Sequence, residues 1–191
     1  MKKVVLLGDS IRMGYGASVA RNLSDEFSVW QPDDNCRYAQ YTYQHLSYDE
    51  WNGWASNTEN VDIIHWNNGL WDVNHWFEDG PMTPKNFYVD TMVRIAKLLL
   101  QRSKIVIFAT MTPVRDTNPT IINTEVVDYN QALVPELEKL GVVINDLHTL
   151  VAADIPRYIL ASDHIHLTED GVSVCAAQVE KVIREQVAKL Q

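Results

Sequence analysis

Apolar residues along this chain form short runs, and longer stretches with helical periodicity separate them. The runs "VVLL", "FSVW", "VDIIHW", "IVIFA" and "VVI" are bounded by turn-forming residues and contain many β-branched side chains. Runs of this kind are typical of strands that are covered on both faces. We therefore predict strands at residues 4–7, 27–30, 61–66, 105–109 and 142–144.

Helical periodicity is clearest in three stretches, and we predict helices at residues 87–101, 125–140 and 169–190. In the first of them, Val89, Met92, Val93 and Ala96 have the spacing of one helix face. Thr168 is a plausible N-cap for the last helix, because two acidic residues follow it in the first turn. About 15 residues after the first strand are also compatible with a helix.

Strands and helices therefore alternate along the chain, which indicates a doubly wound α/β fold with a mainly parallel sheet. The length of 191 residues fits a single domain spanning 1–191. Ligands of such sheets bind beyond the carboxyl ends of the strands. The loops after residues 7, 30, 66, 109 and 144 are therefore the places to look for chemistry.

The composition and net charge of the chain limit which partners it can bind and in which compartment it can work. The chain is 46% hydrophobic and 21% charged, which excludes general disorder, and its net charge of −9 argues against nucleic acid or an anionic membrane as the main partner. Cys36 and Cys175 form neither a disulfide framework nor a zinc pattern. Met1-Lys-Lys precedes too short an apolar run for a signal peptide, and no run is long enough to span a membrane. We expect a reducing, cytoplasmic setting.

The first loop, "GDSIRMGYG", allows three interpretations: a simple turn, a phosphate loop or a platform for a nucleophile. Its glycines do not have the spacing of either phosphate-binding motif, and no Lys follows them, which disfavours a nucleotide site. A nucleophilic Ser10 needs a base to remove its proton.

A candidate base lies near the other end of the chain, in "ASDHIHLTEDG". The three-residue spacing from Asp163 to His166 lets the carboxylate reach one imidazole nitrogen and leaves the other free to face Ser10. His164 lies between them. The same segment could be a surface loop with two solvated histidines, or half of a metal site, for which no further clustered ligand is visible.

The two segments together resemble the first and last sequence blocks of the SGNH (GDSL) hydrolases: Leu7-Gly8-Asp9-Ser10 near the start, and Asp163-His164-Ile165-His166 before the last helix. The resemblance spans nearly the whole chain. It implies a flavodoxin-like three-layer α/β/α sandwich with five strands, and a carboxylic ester hydrolase without a cofactor. It also implies Ser10 as nucleophile and first oxyanion donor through its backbone N–H, His166 as base and Asp163 as the orienting acid.

The third block departs from the family pattern. The family has Gly-x-Asn-Asp there, with the Asn side chain in the oxyanion hole, whereas this chain has Gly69-Leu70-Trp71-Asp72. Asn67 and Asn68 lie just upstream, and we favour Asn67 as the replacement amide donor, with Asn68 as the alternative. Both amide side chains could instead form hydrogen bonds only with groups of the turn.

The second block departs as well, because the loop after the second strand lacks the family's glycine and has Asn35, Cys36 and Arg37 instead. We expect the backbone N–H of Cys36 or Arg37 to be an oxyanion donor, unless the loop needs a backbone angle that only glycine adopts freely. Cys36 as the nucleophile is the rival interpretation.

The predicted loops are rich in aromatic and amide side chains, which suits a surface that binds sugars. We expect Trp71, Arg12 and Arg115 to contact a substrate, and several other aromatic residues to lie near the site or in the core: Tyr38, Trp51, Trp54, Trp66, Trp76 and Phe77. A small acyl ester is predicted, most simply an acetyl group on a carbohydrate. The alternatives are a lipase or thioesterase of the same superfamily, a non-catalytic carbohydrate-binding protein, and a nucleotide-binding flavodoxin-like domain.

Overall fold

Five parallel strands form a single sheet in the computed structural model, which describes residues 1–47 and 53–190. The strands are β1 (Lys2–Leu7), β2 (Phe27–Trp30), β3 (Val61–Trp66), β4 (Ser103–Ala109) and β5 (Val143–Asn145). Their order is β2-β1-β3-β4-β5, and each neighbouring pair is parallel. This is the strand order of flavodoxin-like sheets, which agrees with the architecture that the resemblance implies.

Eight helices surround this sheet within the described ranges. They are α1 (Ser10–Leu23), α2 (Ala39–Ser47), α3 (Trp54–Asn57), α4 (Lys85–Arg102), α5 (Asn123–Lys139), α6 (Leu147–Ala152), α7 (Ile155–Tyr158) and α8 (Glu169–Ala188). Helix α1 packs on α8, whereas α4 packs on α2 and α5. Right-handed crossovers put these two groups on opposite faces, because the chain reverses its direction across the sheet after β2.

The sheet is buried on both faces at its centre. Val4, Val5, Leu6 and Leu7 are each at most 1% exposed, although successive strand residues point to opposite faces. Residues 63–66 of β3 and 106–109 of β4 are also fully buried, which explains why these runs are continuous rather than alternating.

The register of the central strands sets the position of the loops. Leu7 of β1 pairs with Trp66 of β3, so both strands end at the same level. The residues that follow, Gly8-Asp9-Ser10 and Asn67, therefore lie side by side where the strand order reverses, which is where ligands of doubly wound sheets bind.

Most predicted elements are confirmed, with boundary shifts of one to two residues. Helix α4 begins at Lys85 instead of residue 87, and β5 lies one residue later than predicted. The Thr168 side chain accepts a hydrogen bond from the Gly171 N–H and caps α8 as predicted. Periodicity did not reveal α2, α3, α6 and α7, which are mostly short. Within the described residues, no helix is long and apolar enough to cross a membrane.

Candidate active site

Ser10 is the first residue of α1 and follows directly from the end of β1. Asp9 caps this helix, since its Oδ1 accepts a hydrogen bond of 2.9 Å from the Ile11 N–H. The Ser10 N–H precedes the hydrogen-bonded part of the helix and has no acceptor among the described residues. The loop therefore presents a half-buried hydroxyl and a backbone donor together at the positive end of a helix dipole.

Asp9 accepts a hydrogen bond from the amide that directly follows the neighbouring strand β3. The Nδ2 of Asn67 donates a hydrogen bond of 2.8 Å to the Asp9 Oδ1, and both side chains are buried. Burial raises the pKa of Asp9, and the hydrogen bonds from Asn67 and Ile11 partly offset this shift. Any Cβ at Gly8 would overlap the Asn67 amide, so glycine is required there by close approach.

His166 joins Ser10 to Asp163 through its two ring nitrogens. Its Nε2 lies 2.9 Å from the Ser10 Oγ, and its Nδ1 lies 3.0 Å from the Asp163 Oδ2. The side chains of His166 and Asp163 are 44% and 40% exposed, so this end of the chain of hydrogen bonds borders solvent.

Asp163 is oriented by the backbone of its own loop. Its Oδ1 accepts hydrogen bonds of 2.9 Å from the N–H groups of Ile165 and His166, which leaves Oδ2 for the imidazole. Partial burial alone would raise the pKa of Asp163, but these hydrogen bonds together lower it. The carboxylate is therefore ionised at neutral pH and favours the tautomer with the proton on His166 Nδ1.

His164 points elsewhere. It has a left-handed backbone with φ of 67°, and its Nδ1 lies 2.6 Å from the Thr117 Oγ1. Two residues apart in this loop, the histidines have different partners, and the structure brings only His166 to Ser10.

Arg115 does not reach the cleft, and the prediction that it contacts substrate is wrong. Its guanidinium donates to the carbonyl groups of Pro156, Ile159 and Leu160 at 2.7–3.1 Å. Its backbone N–H also donates to the His164 carbonyl at 3.0 Å. Arg115 therefore ties the loop after β4 to the segment that carries the histidines.

Arg12 is also structural, against our prediction. It is only 2% exposed, and its guanidinium donates to the carbonyl groups of Gly8, Pro32 and Asp34. These contacts join the loops after β1 and β2, because a guanidinium can satisfy several carbonyls at once.

Neither predicted backbone donor of the loop after β2 is available. The Cys36 N–H donates to the Gly8 carbonyl at 3.0 Å, and the Arg37 N–H donates to the Asn35 Oδ1 at 2.8 Å. Arg37 has φ of 47°, so a non-glycine residue does take a left-handed conformation in this loop. Burial raises the pKa of the Cys36 thiol to about 12, which argues against Cys36 as the nucleophile.

The amides that directly follow β3 are used inside the protein. Asn67 donates to Asp9, as described above, which contradicts its predicted role as the oxyanion donor. The Asn68 Oδ1 accepts from the Trp66 indole and its Nδ2 donates to the Arg37 carbonyl, at 2.7 Å each. Both amides stabilise the turn, which is the second interpretation that the sequence left open.

A cleft of about 360 Å³ lies against Ser10 and His166. Trp71 lines it and packs edge-on against Trp76 with ring centroids 5.1 Å apart. The other lining residues are Asn35, Leu70, Asn74, Thr120, Ile121 and Ile165. The wall is thus mainly apolar and aromatic, with two amide side chains, and sequence reasoning assigned no role to either amide.

The other aromatic residues divide between core, surface and loops. Trp54 and Trp66 are fully buried in the core, and Phe77 is 74% exposed beside Trp76. Tyr38 packs against Tyr41 outside the lining of the cleft. Trp51 lies outside the described residues.

Metal-ligand clusters and the second cavity complete the description of the polar sites. Among residues 1–47 and 53–190, no three His, Cys, Asp or Glu side chains cluster as metal ligands. A second cavity of about 420 Å³ lies between α5 and β5 and contains neither Ser10 nor His166.

Comparisons with known proteins agree with this architecture. No protein-family model matches the chain, and no curated protein does. Solved structures do: a lipase/acylhydrolase from Enterococcus faecalis has a TM-score of 0.77 and 16% identity, with 97% of each chain covered. An acetylxylan esterase from Geobacillus stearothermophilus has a TM-score of 0.75 and 15% identity, covering 94% of this chain and 93% of that one.

A member of the lipolytic G-D-S-L family from Veillonella parvula is similar over 95% of this chain and 98% of its own, with a TM-score of 0.74 and 17% identity. At these identities the comparisons establish the fold. The resemblance seen in the first and last sequence blocks is therefore confirmed at the level of the whole architecture, and this chain has the fold of the SGNH (GDSL) hydrolases.

Proposed function

We propose that the protein is a serine esterase that hydrolyses a small acyl ester with Ser10 as nucleophile. The observation that carries the proposal is the unbroken hydrogen-bond chain from Asp163 through His166 to Ser10. These distances let the imidazole accept the serine proton while the carboxylate stabilises the imidazolium that forms.

The reaction has two halves. In the first, His166 Nε2 takes the Ser10 proton as Oγ attacks the acyl carbonyl, and the tetrahedral intermediate collapses when the imidazolium protonates the departing alcohol. In the second, His166 takes a proton from water, which attacks the acyl-Ser10 ester and releases the carboxylic acid. After the first half His166 is neutral again and Ser10 is acylated. In the second half the imidazolium gives the proton it took from water to Ser10 Oγ as the acyl bond breaks, so the complete cycle restores Ser10, His166 and Asp163.

The Ser10 N–H supplies one stabilising donor for the oxyanion. It belongs to the attacking residue, at the start of α1, so it lies close to the oxyanion that forms when the acyl carbon bonds to Ser10 Oγ.

The cleft suits an acetyl group carried by a carbohydrate. Trp71 and Trp76 offer flat apolar faces for the C–H side of a sugar ring, and Asn35 and Asn74 offer polar groups for hydroxyls or carbonyls. Phe77 extends the aromatic surface beyond the cleft, where further sugar units would lie. Among the structures that share this fold is an acetylxylan esterase, which supports the same choice of substrate class.

The decisive experiment combines turnover with active-site labelling. We expect hydrolysis of p-nitrophenyl acetate and of acetylated xylo-oligosaccharides, with butyrate and longer esters cleaved more slowly. Ser10→Ala and His166→Ala should each lower kcat by roughly 10³-fold or more, because each removes part of the activated nucleophile.

A fluorophosphonate should label wild type and the matched control Ser18→Ala, whose serine lies further along α1, but not Ser10→Ala. Near-wild-type turnover in Ser10→Ala would exclude the proposed mechanism. The replacement of the family's amide by Trp71 favours one rival, a carbohydrate-binding protein without activity. Sugar binding without labelling or turnover would establish that rival.

A further inference from the structure

We propose that Asn74 supplies the side-chain donor of the oxyanion hole, in place of the family's amide at the position of Trp71. This inference rests on the proposed esterase function. It assigns a catalytic role to a residue that lies outside the Gly-x-Asn-Asp block.

The donors that the sequence suggested for the oxyanion already have acceptors inside the protein. Asn67 donates to Asp9 and Asn68 donates to the Arg37 carbonyl. The N–H groups of Cys36 and Arg37 also have intramolecular acceptors. These four candidate donors are therefore committed to holding the loops together.

Asn74 lies at the cleft on the same side of its turn as Trp71. Residues 70–73 form a turn in which the Val73 N–H donates to the Gly69 carbonyl and the Asn74 N–H donates to the Trp71 carbonyl. Residues three apart in such a turn lie on the same side. Trp71 and Asn74 accordingly both line the cleft that Ser10 and His166 line.

The side-chain amide of Asn74 has no hydrogen-bond partner in the described residues. The residue is only 6% exposed, and its Oδ1 is buried without a hydrogen-bond partner. The end of the amide that faces the cleft is therefore Nδ2, for which the described residues provide no acceptor. The opposite orientation would bury two N–H donors without acceptors, and leaving buried polar groups unpaired is costly. A buried amide with its donor end unused is suited to a charge that forms only during the reaction.

The main chain at Asn74 is fixed from both sides, and the residue is only 6% exposed, so hydrogen bonds of the backbone and packing set its position at the cleft. Its carbonyl accepts from the Met82 N–H at 2.9 Å, and the next residue, His75, donates to the Thr120 carbonyl at 2.8 Å. A donor whose main chain does not have to move needs less reorganisation when the oxyanion forms, which favours stabilisation of a transition state.

The test is a comparison of Asn74→Ala, Asn74→Asp and Asn67→Ala in the full-length protein with p-nitrophenyl acetate. Asn74→Asp preserves the shape but removes the donor, so it covers the case in which the alanine variant fails to fold. We expect both Asn74 variants to lose about 10²–10³-fold in kcat with KM within a few-fold, because the charge develops only in the transition state. Asn67→Ala, whose amide is bound to Asp9, should lose at least tenfold less kcat than Asn74→Ala.

A boronic acid that forms a tetrahedral adduct with Ser10 gives a second readout. Its inhibition constant should rise in parallel with the loss of kcat in the Asn74 variants, which a merely structural role would not produce. If wild type is active and depends on Ser10, but a folded Asn74→Asp variant retains kcat within threefold, the assignment of Asn74 is overturned and the esterase function stands. If wild type shows neither turnover nor Ser10 labelling, the proposed function fails and this inference fails with it.

Discussion

Replacing Asp163 by asparagine tests how the proposed base is kept in its working tautomer. In the present arrangement Oδ1 accepts the N–H groups of Ile165 and His166, and Oδ2 faces the imidazole Nδ1 at 3.0 Å. In Asp163→Asn the two backbone donors hold the amide oxygen at the first position, which puts the NH2 group opposite Nδ1. Two donors cannot face each other, so the imidazole proton moves to Nε2, and the ring can no longer accept the Ser10 proton.

The size of the loss follows from exposure. A fully buried aspartate in this role is worth roughly 10⁴-fold in kcat. Here the side chains of Asp163 and His166 are 40% and 44% exposed, so water can take part of the role of the carboxylate. We therefore expect a loss of about 10²–10³-fold, which corresponds to roughly 2.7–4 kcal/mol of activation free energy.

Steady-state hydrolysis of p-nitrophenyl acetate between pH 6 and 9 measures this effect, with Asp79→Asn as the control for the same loss of charge at an exposed position. The melting temperature should change little in Asp163→Asn, because the amide oxygen still accepts both N–H groups. A kcat above one tenth of the wild-type value throughout this pH range would refute the assignment of Asp163.

Three further outcomes are expected. His164→Ala should reduce kcat far less than His166→Ala in the same ester assay, since His164 contacts Thr117 and not the nucleophile; a reversed order would identify His164 as the base. Asn67→Ala should lower the free energy of unfolding by about 1–3 kcal/mol in urea titrations, because it removes the side-chain donor of buried Asp9 and leaves only the Ile11 N–H, and an unchanged midpoint would contradict this. Burial alone would raise the pKa of Asp146, but hydrogen bonds from Thr149 and Thr110 lower it overall. The stability that Asp146 contributes is therefore present above its unfolded pKa of about 4 and is lost as the pH falls through the lower folded pKa. The difference in melting temperature between wild type and Asp146→Asn should accordingly shrink on acidification.

The elements and the contact between Asp163 and His166 could be predicted because local patterns determine them. Continuous apolar runs identify strands buried on both faces, and the parallel topology then brings their carboxyl ends to one edge. The spacing from Asp163 to His166 is itself local, so the contact between their side chains does not depend on the rest of the fold.

The arginines and amides could not be assigned in the same way, because their partners are backbone groups of distant loops. Nothing local in "GDSIRMG" indicates that Arg12 will meet the carbonyls of Pro32 and Asp34. The choice between Asn67 and Asn74 depends on the turn at residues 70–73, whose conformation no periodicity reveals. The signal that could have pointed to Asn74 is its spacing of three residues from Trp71.

The hydrogen bonds of Arg115 connect the loop after β4 to the segment that carries His166. The guanidinium belongs to the loop after β4, a strand that carries neither the proposed nucleophile nor the proposed base. It nevertheless donates to the carbonyls of Pro156, Ile159 and Leu160 just before His166. The distance between Ser10 and His166 therefore depends on the loop after β4 as well as on the loops that carry these two residues. Changes around β4 that never touch a substrate would act on turnover by displacing the imidazole, and a displacement of about 1 Å can cost on the order of 10²-fold in rate.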